Sequence, residues 1–270
     1  MQVILAGFNI DREVIEDLTK GLHVIRESAR RGLESPTKSH LRQIIETVDF
    51  LLSRQDFTPE TISAAYARIS RDPRPVNELR RESRQEIKRA RRSNRSIVYT
   101  MGHSSIAEHA VFNFDVLGVS RLILEQVQAH RLLSFTEKSQ RYIKLDSDFI
   151  IPRELDGMQL RDEFLSAVLV QYQTYERLFP ELTGYFKQLE VAEDDDPYQQ
   201  EAQSQAMNRA KEDARYVLGL CVTSQMGMTV NARTLEMIIR RLRALPLQEA
   251  QELAAKLYEE SHAVAPSLIR

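Results

Sequence analysis

Residues 101–142 read MGHSSIAEHAVFNFDVLGVSRLILEQVQAHRLLSFTEKSQRY, and the rest of the chain is best read from them. His103, Glu108 and His109 stand at the head of the stretch. Gln126, His130, Arg131, Ser134, Glu137, Ser139 and Arg141 crowd its tail. Between them Phe112, Phe114 and Val116 alternate with Asn113 and Asp115, the period of two that marks a half-buried strand. From Gly118 the spacing changes. Val119, Leu122, Ile123 and Val127 recur at helical intervals and predict a helix ending near His130–Arg131. The stretch therefore reads as polar entry, strand, helix and a tail rich in hydrogen-bonding groups.

Upstream, residues 2–8 predict a strand, and Gly7 and Asn9 turn the chain into a helix started by Asp11. An amphipathic helix over 13–32 is broken by Ser35-Pro36-Thr37. A second spans 39–54, with Leu41, Ile44, Ile45, Val48 and Leu51 on one face. Thr58-Pro59-Glu60 starts a third, with the threonine as cap. Residues 79–95 form the most basic stretch, with Arg80, Arg81, Arg84, Lys88, Arg89, Arg91, Arg92 and Arg95 interleaved with Glu78, Glu82 and Glu86. A phosphate- or RNA-contacting surface is one reading. A solvated helix laced with weak ion pairs outweighs it, since acids dilute the charge and no aromatics interleave.

Downstream, Ile143–Leu145 predicts a short strand, and Ile150-Ile151-Pro152 leads into a long helix. Its Phe164, Val168, Tyr172, Tyr175 and Phe179 read as a core stripe. Glu193–Pro197 reads as an acidic turn, residues 197–216 as a helix and 223–230 as a strand. Asn231-Ala232-Arg233 opens a helix to about Arg243, and a last amphipathic helix follows Leu245-Pro246. With no internal repeat and no Gly/Ser-rich linker, the expectation is one domain over 1–270, with 1–55 as a helical extension and 57–270 as the core.

The chain has 270 residues, 42% hydrophobic and 28% charged, with a net charge of -2. That is ordinary for a globular protein and exerts no global pull toward nucleic acid or a membrane. No run approaches a membrane span, and the N-terminus lacks the basic start of a signal peptide. The one cysteine, Cys221, excludes an internal disulfide, suits a reducing cytoplasm and reads as buried in an apolar strand.

Arg131, Arg141, Arg215 and Arg233 offer forked cationic donors suited to phosphate and to planar carbonyl groups. Ser134, Ser139 and Gln126 supply neutral donors and acceptors. His103, His109 and His130 suit a phosphate or a ring edge, and Glu137 supplies an acceptor. No glycine-rich phosphate loop occurs, so a dinucleotide would be held by side chains and helix ends. Taken alone, His103, Glu108 and His109 are better explained by a hydrogen-bonded cluster pinning a strand start. A zinc site lacks a third ligand at metal spacing, and no triad pattern surrounds Ser134 or Ser139.

His103, Ser105, Glu108 and His109 match a His-x-Ser/Thr-x-x-Glu-His element, and His130 to Arg141 match a linked signature of His-Arg, Ser, Glu, Ser and Arg. On these residues the chain resembles the flavin-dependent thymidylate synthases, most strongly over 101–142 and next over 213–243. The resemblance implies an α/β (α+β) fold, a twisted and mainly antiparallel sheet against long helices. It implies C5 methylation of dUMP, with methylenetetrahydrofolate as carbon donor, FAD as hydride carrier and NADPH as its reductant. The expected assembly is a cytoplasmic homotetramer with sites shared between subunits and with no nucleic-acid or membrane partner.

Carried across, the resemblance gives His103, Ser105, His130, Arg131, Glu137, Asn231 and Arg233 to the flavin. It gives Gln126, Ser139, Gln140, Arg141 and Arg215 to the nucleotide, with Ser139 and Arg141 at the chemistry and no metal. The chain departs from the family pattern where Ala129 and, by counting from Asn231, Leu242 stand in place of arginines, and where Thr136 replaces an asparagine. Arg241 and Arg243 flank Leu242, but a helix residue one step away points about 100° elsewhere. Those departures make a catalytically impaired, flavin- or nucleotide-binding homologue the alternative reading.

Overall fold

The computed structural model describes residues 1–34, 37–145, 148–189 and 199–270. The expected break at Ser35-Pro36 and the acidic turn at Glu193–Pro197 lie outside them. The order of elements is β1 (Gln2–Phe8), α1 (Arg12–Glu34), α2 (Lys38–Leu52), α3 (Glu60–Arg68), α4 (Val76–Gln85) and α5 (Ile87–Arg95). A π-helical turn (Ser96–Thr100) and a 3-10 turn (Ser104–His109) lead to β2 (Val111–Ser120), α6 (Arg121–Gln128) and β3 (Leu133–Glu137). Then come α7 (Leu160–Leu189), α8 (Gln199–Ala214), β4 (Thr223–Asn231), α9 (Ala232–Ala244) and α10 (Gln248–Val264). The four strands form one antiparallel sheet in the order β1-β2-β4-β3, and with the long helices this is the α/β architecture expected from the sequence.

Contacts divide the chain into two compact units. One comprises residues 1–4, 114–228 and 238–256; the other comprises 5–113, 229–237 and 257–270.

In the first unit, Ser120 ends β2 and caps α6 by accepting from the Ile123 amide. Glu249 of α10 accepts from both the amide and the hydroxyl of Ser120, each at 2.7 Å. The core packs Val168, Tyr172 and Tyr175 of α7 against Leu145, Ala214 and Val222. Burial pushes the Tyr172 phenol up to about 12, and its hydroxyl donates to the Asp148 carbonyl at 3.0 Å.

Three expectations are corrected here. The strand runs on to Ser120, because Gly118 adopts φ +64 and shifts the alternation so that Val119 is buried as well. Ile143–Leu145 is not a strand; Leu145 instead plugs the α7 core, its amide donating to the Tyr175 hydroxyl. Cys221 is half-buried and precedes β4 rather than lying within it.

In the second unit, α1 and α2 form an antiparallel hairpin. Gly21 approaches Leu51, Ser28 donates to Gln43 at 2.7 Å, and Gly32 lies near His40. Ile44, Val48 and Leu51 turn inward, while Leu41 and Ile45, expected on the same buried face, are exposed. Arg84 of α4 reaches Glu13 (2.8 Å) and Asp17 (2.7 Å) of α1, together with Asp56 (3.3 Å). Arg54 closes the same cluster with two bonds to Asp56. Within the basic stretch Arg80, Arg84 and Arg91 are turned to carboxylates, while Arg81, Lys88, Arg89, Arg92 and Arg95 stay exposed, as a solvated helix laced with ion pairs would have them.

Glu60, fully buried at the start of α3, takes Arg91 Nε at 2.5 Å and the Ser267 amide at 2.6 Å. Thr58 accepts from the Glu60 amide, as a capping threonine would, although Pro59 occupies the cap position itself. It also donates to the Val264 carbonyl at 2.7 Å.

Removing the Glu60 carboxylate strands Arg91 and the Ser267 amide, so Glu60→Ala is expected to cost about 3 kcal/mol in urea denaturation; a loss under about 1 kcal/mol would show the contact to be dispensable. A second prediction concerns acid. Partial burial raises the Glu13 and Asp56 carboxyls, but Arg81, Arg80 and Arg84 on Glu13, and Arg54 and Arg84 on Asp56, outweigh it and hold both below their usual 4.5 and 3.8. Groups depressed in the folded state contribute stability above their unfolded pKa and lose it as pH falls through the folded value. Stability should therefore fall as pH drops below about 4.5, and Arg84→Met should flatten that fall.

Candidate functional site

The tail of the signature lies in the first unit. His130 follows α6 and is buried. Its Nδ1 faces the carbonyls of Gln126 (3.2 Å) and Val127 (3.1 Å), while Nε2 lies 3.2 Å from Arg241 Nη1 on α9. Carbonyls only accept and a guanidinium only donates, so the ring is neutral, with its proton on Nδ1. Glu137, at the end of β3, accepts from Gln128 (2.9 Å) and from the Ser224 hydroxyl (2.8 Å), with Arg121 at 3.5 Å. Its carboxylate is thereby fixed between α6 and β4.

Beyond β3, Ser139 accepts from the Arg141 amide at 3.3 Å. The Arg141 guanidinium lies 3.7 Å from Glu212 on α8, and Arg215 meets the same carboxylate oxygen at 3.8 Å. Two arginines expected at the nucleotide are therefore brought together on one side chain. That pair suits a dianionic phosphate, which would accept from both forks. Arg131, Ser134 and Gln126 are exposed, and Gln140 is half-buried in the same region.

The head of the signature lies in the second unit. Gly102, at φ +76, turns the chain into His103, whose amide donates to Ile97 in the π-helical turn. His103, Ser105, Glu108 and His109 are exposed on or beside the 3-10 turn. Asn9 secures its end, donating to the His109 carbonyl and accepting from the Val111 amide at 2.8 Å. Tyr66 meets the His109 ring edge-on. Arg233 donates to Glu108 at 2.5 Å, and Asn231 Oδ1 caps α9 through the Thr234 amide at 2.9 Å. Exposed imidazole, hydroxyl and guanidinium donors suit carbonyl and phosphate acceptors.

The two departures from arginine occupy different surroundings. Ala129 is exposed at the end of α6, whereas Leu242 is 2% exposed in the core. Arg241, set aside on helix rotation, is the residue that reaches the signature histidine. Sequence reasoning also missed Arg121, Gln128, Glu212 and Ser224; the Ser224–Glu137 and Glu212–Arg141 contacts join residues distant in the chain.

Comparison with known proteins matches residues 51–267 to the family described as Thymidylate synthase complementing protein. A flavin-dependent thymidylate synthase of Clostridium tetani is 32% identical over 217 residues, 78% of this chain and 81% of that protein. One from Pyrococcus furiosus is 31% identical over 167 residues, 59% of this chain and 57% of its own length. One from Geobacter sulfurreducens is 28% identical over 174 residues, 64% and 66% of the two chains.

The contrast between the two departures is testable by stability alone. Ala129→Arg should change the unfolding free energy from urea denaturation by no more than about 0.5 kcal/mol, as a surface substitution does. Leu242→Arg buries an unpaired charge and should cost about 3 kcal/mol or more. Equal costs would contradict the placement of Leu242 in the core.

Proposed function

We propose, because the chain belongs to the thymidylate synthase complementing protein family, that it methylates C5 of dUMP with methylenetetrahydrofolate as the carbon donor. The observation that carries this reading is the convergence of Arg141 and Arg215 on Glu212 in the first unit. Two guanidiniums held by a single carboxylate keep spare donors, and the uridylate phosphate takes them. Ser139 is pinned by the Arg141 amide, which leaves its hydroxyl proton for a pyrimidine carbonyl. Gln126 and Gln140 line the base.

Methylation at C5 moves the one-carbon unit from the folate to the ring, breaking its bond to the folate nitrogen so that tetrahydrofolate leaves; the C5 proton is released, and negative charge develops on the pyrimidine as this happens. A cation facing that charge typically contributes about 3 kcal/mol to the transition state. With Leu242 in the core, Arg241 takes that part, steadied by neutral His130. When bound, FAD would supply the hydride that completes the methyl group, with NADPH as its reductant. By the family resemblance, His103, Ser105, His130, Arg131, Glu137, Asn231 and Arg233 are the residues that would hold it. We read the assembly as a cytoplasmic homotetramer whose sites draw on more than one subunit.

The alternative, a homologue that binds flavin or nucleotide without turnover, is favoured by one observation: the residues at 129 and 242 place no charge at the site.

The purified protein, loaded with FAD and freed of excess flavin, should keep a visible flavin band that shifts on titration with dUMP. Arg141→Ala should raise the dUMP dissociation constant by at least about 10-fold, as loss of a charge-assisted bond does, while the flavin band is kept. Retained flavin with no response to dUMP would favour the alternative. Unchanged affinity in Arg141→Ala would remove the phosphate seat. With dUMP bound and all co-substrates present, Arg241→Ala should lower kcat by about 100-fold.

A further inference from the structure

Between α5 with the π-helical turn that continues it and the end of α10 with the residues after it, the second unit holds a cavity of about 500 Å³. That size lies within the range that small-molecule sites occupy. None of the residues given to the flavin or the nucleotide lines it, and among the described residues neither does any acidic side chain. Its walls are fixed from behind. Asn94 of α5 donates to the Ser267 hydroxyl at 3.2 Å, and the Ser267 amide reaches Glu60 at 2.6 Å, so the last residues are held against α5. His262 Nδ1 lies 3.0 Å from the Ile269 carbonyl. A carbonyl only accepts, so Nδ1 carries the proton and the ring is held in place. Tyr258, one turn earlier on α10, stacks on that ring, with centroids 4.9 Å and planes 26° apart. Tyr99 of the π-helical turn adds a third aromatic side chain to the lining.

Two guanidiniums border this cavity. Arg95 donates to the Pro266 carbonyl at 3.4 Å, and Arg270 lies over the Tyr99 ring, 5.7 Å from its centroid. Among the described residues neither guanidinium meets a carboxylate; Glu236 takes the Arg270 backbone amide at 3.1 Å instead. By contrast, Arg80, Arg84, Arg89 and Arg91, earlier in the same basic stretch as Arg95, all meet one. A guanidinium has five donors, so Arg95 and Arg270 keep most of theirs for a ligand. The Ser96 and Thr100 hydroxyls add neutral donors.

We propose that this cavity binds a planar aromatic anion, a ring bearing a phosphate or a carboxylate. Arg95 and Arg270 take the charge, and the ring lies among Tyr99, Tyr258 and His262. Forked guanidiniums match the paired oxygens of either group. Two positive charges with no acidic side chain beside them repel a cationic ligand. A flat ring buries its faces against the aromatic side chains, an area that a small inorganic anion would leave to water. Such a site goes beyond the proposed methyl transfer and does not depend on it.

Naphthyl phosphate is a fluorescent probe of that class. Added to the full chain with FAD and excess dUMP present, it should bind saturably. Neutral naphthol and inorganic phosphate should each bind at least about 10-fold more weakly, one lacking the charge and the other the ring. Arg95→Met and Arg270→Met should each weaken the probe by at least about 5-fold. Tyr258→Leu should do the same and Tyr258→Phe should not, with the circular dichroism spectrum unchanged in every variant. No saturable binding at millimolar probe would overturn the site, as would equal binding of naphthol or of inorganic phosphate. So would unchanged affinity in both arginine variants, or displacement of the probe as dUMP is added, which would place it in the nucleotide seat. Competition then identifies the anion. Displacement by adenosine monophosphate assigns a nucleotide, displacement by naphthoate alone assigns an aromatic carboxylate, and displacement by neither would overturn the proposal.

Discussion

Glu60 has no exposed surface, and a carboxylate taken out of water costs several kcal/mol unless charge and hydrogen bonds answer it. Here Arg91 answers it from α5, and the Ser267 amide answers it from the last residues of the chain. Asn94 adds a bond to the Glu60 carbonyl and another to the Ser267 hydroxyl. Helices far apart in sequence thus share one buried charge. The same α5 continues into the π-helical turn whose Ile97 carbonyl receives the His103 amide. The position of the first signature residue therefore depends, through covalent continuity, on a carboxylate that touches no ligand.

The signature itself consists of three small systems rather than one. Glu137 is held on two sides and is rigid. Arg141 and Arg215 share Glu212 at salt-bridge limits, a looser arrangement that an incoming anion can remodel at little cost. Arg233 and Glu108 form a third pair, exposed to water. Rigid acceptor, adaptable cations and an exposed polar turn are different mechanical properties. The motif's spacing conveys the residue types but none of these properties.

How much was legible follows from the kind of signal each element carries. The hydrophobic period identified β2, β4 and the long helices, because one face of each is buried and its residues repeat. β3 (LSFTE) escaped notice since its burial is slight and its residues are mostly polar. Ile143–Leu145 misled because an apolar triplet reads as a strand, whereas one residue of it plugs a core. Leu41 and Ile45 read as buried because α2 alone cannot show which of two neighbouring stripes faces α1. Arg241 was discounted on rotation about the helix axis, an argument about Cα directions. An arginine stem several ångströms long is not bound by it.

The hairpin leaves the body of its unit after Asn9 and returns near Arg54, which lies 3.4 Å from Asp17 in the opening turns of α1. The excursion of some forty residues thus begins and ends in nearly the same place. Such a segment can be shortened, lengthened or exchanged without moving the strand before it or the helix after it, since the cost of closing a loop grows only slowly with its length. Mechanically the hairpin is an accessory to its unit, since its length can change without moving the signature residues.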